Sequence, residues 1–207
     1  MYMPSHFAQP DLAKLHALIR ERPLATLVTL GGGELVVNHV PFLLDPAPAP
    51  YGTLRGHVAR ANPVWRQFSS EVPTVVVFQG PDAYVSPSWY PSKAAHGKVV
   101  PTWNYAVVHA HGMPRVIEDR EWLRTLVEGL TAMHEARNGS TWQLADAPPD
   151  FSAQMLGAIV GVEIPITTLR GKWKVSQNRD AADRDAVAAA LDQREAAMAE
   201  LVRRGKD

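Results

Sequence analysis

The chain reads as a mainly β protein with added helices: a small β-barrel, or a folded sheet, with helices set around it. Three observations lead there. Roughly six short apolar runs have the length and β-branched content of strands. Several of these runs are joined by short turns. Segments with apolar residues at helical spacing lie between and after them.

Taken in order, Pro10 and Asp11 open a helix in which Leu12, Leu15, Leu18 and Ile19 repeat at helical spacing, and Pro23 ends it. Residues 24–30 (LATLVTL) read as a strand, Gly31-Gly32-Gly33 as a turn, and residues 34–40 as the hairpin partner. Pro41 interrupts that pairing before Phe42-Leu43-Leu44, and residues 46–52 form a Pro/Ala-rich connection. Residues 53–58 read as a strand. Asn62-Pro63 is a helix-start signal, because Asn caps and Pro suits the first helical position. Residues 74–78 (TVVVF) form a continuous apolar run, which predicts a strand buried on both faces.

A long strand is expected over 102–117, broken by Gly112 and Pro114. Asp119 caps a helix over 120–137, with Trp122, Leu123, Leu126, Val127, Leu130 and Met133 as its buried stripe. Asp150 is expected to cap a short helix through Leu156. Residues 159–168 read as the last strand, 171–179 as a compact polar run, and 183–204 as one Ala-rich helix. We divide the chain into a barrel domain over 1–180 and a C-terminal helix over 181–207.

Composition removes several classes. Hydrophobic residues make up 46% and charged residues 20%, the balance of an ordinary globular chain. Lys+Arg and Asp+Glu are equal at 21 each, so there is no bulk electrostatic case for a nucleic-acid binder. The absence of Cys excludes disulfides and thiolate metal sites. The opening MYMPSHFAQPD has neither the basic nor the apolar region of a secretory signal. No apolar run approaches the ~20 residues of a membrane-spanning helix. By elimination we expect a soluble cytoplasmic protein with no membrane partner.

The chemistry concentrates in residues 82–105, DAYVSPSWYPSKAAHGKVVPTWNY. Tyr84, Trp89, Tyr90, Trp103 and Tyr105 stand among Ser86, Ser88, Lys93, Lys98, Thr102 and Asn104. Proline at 81, 87, 91 and 101 stiffens the stretch. Aromatic planes beside hydroxyls, an amide and lysines suit a flat ligand that also carries an anion. The plainer reading is a Pro-rich loop whose rings cap a core.

Six segments together resemble the PaiB family, the FMN-binding negative transcriptional regulators: MYMPSHF, NHVPF, GHVARANPVW, YVSPSWYPSK, VPTWNY and KVSQNR. They come in the family's order and span nearly the whole chain. The resemblance implies an FMN-binding split barrel with an added C-terminal helix. It also implies a homodimer with FMN in a cleft between subunits, and a repressor role in which DNA enters through the family name alone. Asp180 stands where the family pattern has Pro.

FMN needs a stacking wall, donors to its ring edge, and cations or backbone N–H groups for its phosphate. Trp89, Tyr90 and Trp103 are candidates for the wall, and Ser86, Ser88, Thr102 and Asn104 for the polar edge or ribityl chain. Arg60 is the first choice for the phosphate, since a guanidinium forks onto it; Lys93 also qualifies. Asn38, His39, His57 and Asn62 lie in or between the neighbouring motifs, and Lys174 and Gln177 would edge the cleft. A surface charge for Arg60 and satisfied structural roles for the histidines are the plainer readings. His109 and His111 leave one strand face, but no third ligand supports a metal. Two further functions remain open: a flavin-dependent oxidoreductase or flavin reductase, and a haem-binding protein on the same fold. No residue presents itself as a catalytic acid or base.

Overall fold

The computed structural model describes residues 1–205. In chain order its elements are β1 (Ala8–Gln9), α1 (Leu12–Glu21), β2 (Leu24–Gly31), β3 (Glu34–Pro41), β4 (Leu43–Asp45), β5 (Thr53–Ala59), β6 (Thr74–Val85) and α2 (Ser92–His96). Then come β7 (Thr102–Gly112), β8 (Arg115–Ile117), α3 (Arg120–Asn138), α4 (Pro149–Gly157), β9 (Ile159–Pro165), β10 (Thr168–Lys174), α5 (Ala181–Leu191) and α6 (Ala196–Arg204). The pairings are antiparallel, as the strand-and-short-turn pattern implied.

The chain falls into two compact units. One comprises residues 1–18, 79–108 and 170–207; the other comprises 19–78 and 109–169. β6, β7 and β10 run through both.

The second unit is built on the β2–β3 hairpin. Gly32 and Gly33 have φ of 61° and 88°, the left-handed pair a two-residue hairpin turn requires. Thr26, Leu27 and Val28 of β2 pair with Val77, Val76 and Val75 of β6. The other sheet of this unit has the order β4-β5-β9-β8. Its core includes Leu27, Phe42, Leu54, Val76, Phe78, Val160, Val162 and Ile164, all at most 3% exposed. Phe42 and Phe78 meet edge to face at 6.4 Å. α3 adds Leu123, Leu126 and Leu130, while Trp122, Val127 and Met133 are only half-buried. Asp119 caps α3 as expected, accepting from Trp122 N at 2.7 Å.

In the first unit the strand order is β1-β10-β7-β6. Ala8 and Gln9 pair with Lys172 and Gly171. α5 and α6 pack together here, burying Val187, Ala188, Leu191, Met198, Ala199 and Val202.

Four expectations are corrected. The strand expected to end at 78 continues through Pro81 to Val85. Burial alternates up to Gly80 and resumes at Ala83, so one extra residue at Pro81–Asp82 absorbs the missing donor of the proline. The final strand is two strands, separated at Ile166–Thr167, whose N–H groups bond Gly52 O and His111 O instead. The run over 171–179 therefore begins as strand, through Lys174, with Trp173 only 5% exposed. The helix expected over 183–204 is α5 and α6, because Arg194 N and Glu195 N both turn back to Leu191 O. The last two residues of the segment 181–207 lie outside the described residues.

Candidate functional site

Unit one contains a cleft of about 220 Å³ lined by Tyr90, Thr102, Asn104, Lys174, Ser176 and Arg179, with Val100, Pro101 and Asn178 at its margin. Strand alternation accounts for half of it: Thr102 and Asn104 leave one face of β7, and Trp103 leaves the other. The turn after β10 accounts for the rest. Ser176 has φ of 63°, the left-handed region that costs a serine energy. It is held there by its buried Oγ, which accepts from Asn104 Nδ2 at 2.9 Å, and by its carbonyl, which accepts from Arg179 N at 2.9 Å.

Two cations face this cleft, and no carboxylate lines it. Lys174 Nζ donates to Thr102 Oγ1 and, at 2.6 Å, to Trp103 O. Burial pushes the Lys174 amine below its ordinary pKa, and the charges of Lys172 and Arg179 push the same way. An anion here would relieve that repulsion. Arg179 lies over the Tyr90 ring at 4.6 Å. Tyr90 is buried, its Oη is shut off from solvent, and the Arg179 guanidinium is its polar neighbour. Cations, hydroxyls, an amide and one ring together fit the donor set an FMN end requires.

The three rings expected to wall one ligand stand on two surfaces. Tyr90 lines the cleft, whereas Trp89 and Trp103 line a separate groove with Tyr84, Leu191 and Arg194. Ser86 and Ser88 bond each other at 2.7 Å, and Ser86 caps the turn through Ser88 N. Lys93 is exposed on α2. Gln177 is committed to its own turn: Oε1 accepts from Val175 N at 2.8 Å, and Nε2 donates to Trp173 O. Asp180, the departure from the family pattern, caps α5 by accepting from Asp183 N at 2.8 Å. The buried Asp183 carboxylate in turn accepts from Ser92 N and Oγ at 3.1 and 2.7 Å, fixing α2 against α5. Arg179 and Ser176 are the cleft residues that motif reading underweighted, their signal being the polar KVSQNR run; Asp183, which fixes α2 against α5, lies beyond that run.

The remaining candidates lie in unit two. Arg60 is a brace: Nε donates to Gly157 O at 3.0 Å, Nη2 to Ile159 O at 3.2 Å, and Nη1 to Glu118 at 2.5 Å. With each guanidinium nitrogen engaged, Arg60 ties β5 to the start of β9, which argues against its being the phosphate fork. Arg60→Ala is expected to lower stability by about 2–3 kcal/mol while leaving the FMN-to-riboflavin affinity ratio unchanged, read by urea unfolding and flavin titration. Asn62 caps the turn after it and donates to Asn38 Oδ1 at 2.8 Å; Asn38 Nδ2 is buried without a partner. His39 is exposed on β3. His57 is partly buried on β5, and its Nδ1 has no partner.

Burial lowers the pKa of both His57 and His109 from the ordinary 6.5. Their neutral forms are therefore favoured on folding. Stability is full above that value and is lost as pH falls through the lowered folded values, because the unfolded chain takes up protons first. Urea midpoints at about pH 7.5 and about pH 5 should differ less in His57→Phe than in the parent.

Among the described residues no group of three or more His, Cys, Asp or Glu could hold a metal ion, and no helix is long and apolar enough to cross a membrane.

Residues 1–168 match the family described as "Putative FMN-binding domain". The chain is 33% identical to the protease synthase and sporulation protein PAI 2 of Bacillus subtilis, covering 88% of this chain and 85% of that protein. Two solved structures are similar at low identity. The flavocytochrome Anf3 of Azotobacter vinelandii aligns with a TM-score of 0.61 at 17% identity, over 88% of this chain and 77% of that one. The FAD and haem binding protein of Mycobacterium smegmatis aligns with a TM-score of 0.59 at 18% identity, over 88% and 79%. At these identities the two structures bear on the fold, which is the split barrel expected from the motifs.

Proposed function

The chain belongs to the PaiB family of FMN-binding domains, and on that footing we propose that it holds FMN non-covalently as a homodimer and acts as a flavin-responsive regulator. The observation that carries the reading is the unit-one cleft, where Lys174 and Arg179 stand beside Thr102, Asn104 and Tyr90 with no opposing carboxylate. These residues take the phosphate end of the cofactor. When bound, FMN supplies hydride and single-electron chemistry; the protein supplies grip and exclusion of water.

At about 220 Å³ the cleft is smaller than the ~300–1,000 Å³ that encloses a whole drug-sized ligand, which supports a second chain completing it. The outer face of β3 supports the same reading. Leu35 and Val37 are 74% and 55% exposed on an edge strand, with Leu24 of β2 at 64%, an apolar edge of the kind that pairing covers. The regulatory part draws on the B. subtilis relative, whose name refers to protease synthesis and sporulation. With equal numbers of basic and acidic residues, contact with DNA would rest on a local patch rather than on bulk charge.

Titrating FMN and riboflavin into the purified chain, with flavin fluorescence as the signal and sedimentation for mass, tests this reading. We expect FMN to bind well ahead of riboflavin to a particle of two chains. Equal affinity, or a monomer that ignores flavin, would refute it.

A second reading is a redox enzyme. The neighbours named as a flavocytochrome and as an FAD and haem binding protein are what favour it. NADH or NADPH oxidation above that of free FMN would support turnover, and a Soret band in the purified protein would point to haem.

A further inference from the structure

The open groove lined by Trp89 and Trp103 has a volume of about 350 Å³ and lies wholly within unit one. The cofactor reading leaves it unused. Asp82 and Tyr84 come to it from β6, and Trp103 from the neighbouring strand β7. The turn between α5 and α6 supplies Arg194 and Glu195 on the other side.

Its rings are left uncovered by the chain. Tyr84 and Trp103 are 48% and 54% exposed, and they meet at 70° with centroids 6.1 Å apart. Two rings near a right angle make two walls of a box, and the electron-rich faces of such walls attract a cation. Trp89 already shows that preference, since the Arg194 guanidinium sits 5.9 Å from its ring centre.

Charge points the same way. Two carboxylates line the groove against one guanidinium. Among the described residues neither Asp82 nor Glu195 is in an ion pair; Asp82 only accepts a long bond from Gln79 Nε2 at 3.4 Å. An anion such as phosphate is disfavoured here, in contrast to the cleft of Lys174 and Arg179. A metal ion or bare ammonium holds its water tightly, whereas a methylated ammonium is weakly hydrated and lays its methyl groups on the rings.

We propose that this groove binds a small free organic cation, an N-methylated ammonium ion, in the corner of Tyr84 and Trp103, with Asp82 and Glu195 as counter-charges. Such a ligand is additional to FMN and is held by different residues.

The full-length chain, isotopically labelled, can be titrated with choline and with its uncharged isostere, in which a tert-butyl group replaces the trimethylammonium. The tryptophan indole N–H resonances give the signal. Choline should bind about tenfold tighter than the isostere. Trp103→Leu should abolish that preference, and Trp103→Phe should keep part of it, because a benzene ring retains the electron-rich face. Glu195 is exposed, so Glu195→Gln tests the counter-charge without disturbing the core; it should weaken choline about threefold and leave the isostere unchanged. Arg194→Ala removes a competing cation and should strengthen choline by about the same factor. The proposal is overturned if choline has no advantage in the parent, or if Trp103→Leu or Glu195→Gln keeps that advantage in full. Displacement of choline by FMN would also overturn it, by assigning the groove to the flavin. Choline bound equally with and without FMN supports it, and a chain that ignores FMN but binds choline would sink the cofactor reading alone.

Discussion

Replacing Lys174 and Arg179 together with alanine should lower FMN affinity by about a hundredfold and leave riboflavin within about twofold. The physical basis is the charge balance of the unit-one cleft. Lys174 is held by Thr102 and Trp103 O, both neutral acceptors, and Arg179 rests over Tyr90. Neither charge is neutralised by a carboxylate in the cleft. A phosphate supplies what is missing, and each charge-assisted hydrogen bond contributes about 1.5–3 kcal/mol, or roughly tenfold or more. Riboflavin lacks the phosphate but has the same ring, so it controls for any change in the shape of the cleft. If both flavins weaken alike, these residues orient the ring rather than the phosphate. If neither weakens, the cofactor lies elsewhere and the proposed site is wrong. Each single variant should lose about tenfold, with Arg179→Lys recovering part of the loss because it keeps the charge but not the fork.

Gly112→Ala should destabilise the fold by about 2–4 kcal/mol, and Gly112→Val should prevent stable folding at ordinary temperatures. A Cβ at this position would sit 2.2 Å from Pro165 O and 2.7 Å from Ile164 Cγ2. The first of these is backbone, so relief requires β9 to move. β9 is paired along its length with β5, from Thr53↔Pro165 to Ala59↔Ile159, so movement there disturbs the sheet. Urea unfolding of the alanine variant, with far-ultraviolet circular dichroism to confirm its secondary structure, measures the effect. Stability within about 0.5 kcal/mol of the parent would mean that β9 yields more easily than the ladder suggests.

Gly112 also illustrates how far the amino-acid order can be read. It is legible as a break in an apolar strand, and β7 does end there. That another strand's carbonyl occupies the space of its missing Cβ is not legible, because Pro165 lies 53 residues further along the chain. Arg60 shows the same limit. Its place beside the Asn62-Pro63 turn is local and was readable; its three partners at 118, 157 and 159 are distant and were not. Trp89 and Trp103 look like one wall with Tyr90 when written in a line. Strand alternation and the short turn at residues 87–89 direct them elsewhere.

What residue order settled alone was local or compositional: the hairpin turn at Gly32-Gly33, the caps at Asn62 and Asp119, the alternating runs that became strands, and the motifs that identify an FMN-binding split barrel. These depend on backbone preference and on neighbours within a few positions. Tertiary structure decided which polar groups are satisfied and which are left open. Arg60 and Gln177 are braced, Lys174 and Arg179 face a cleft free of carboxylates, and His57 Nδ1 is buried without a hydrogen-bond partner. A side chain's availability depends on every group packed around it, and those groups come from distant parts of the chain.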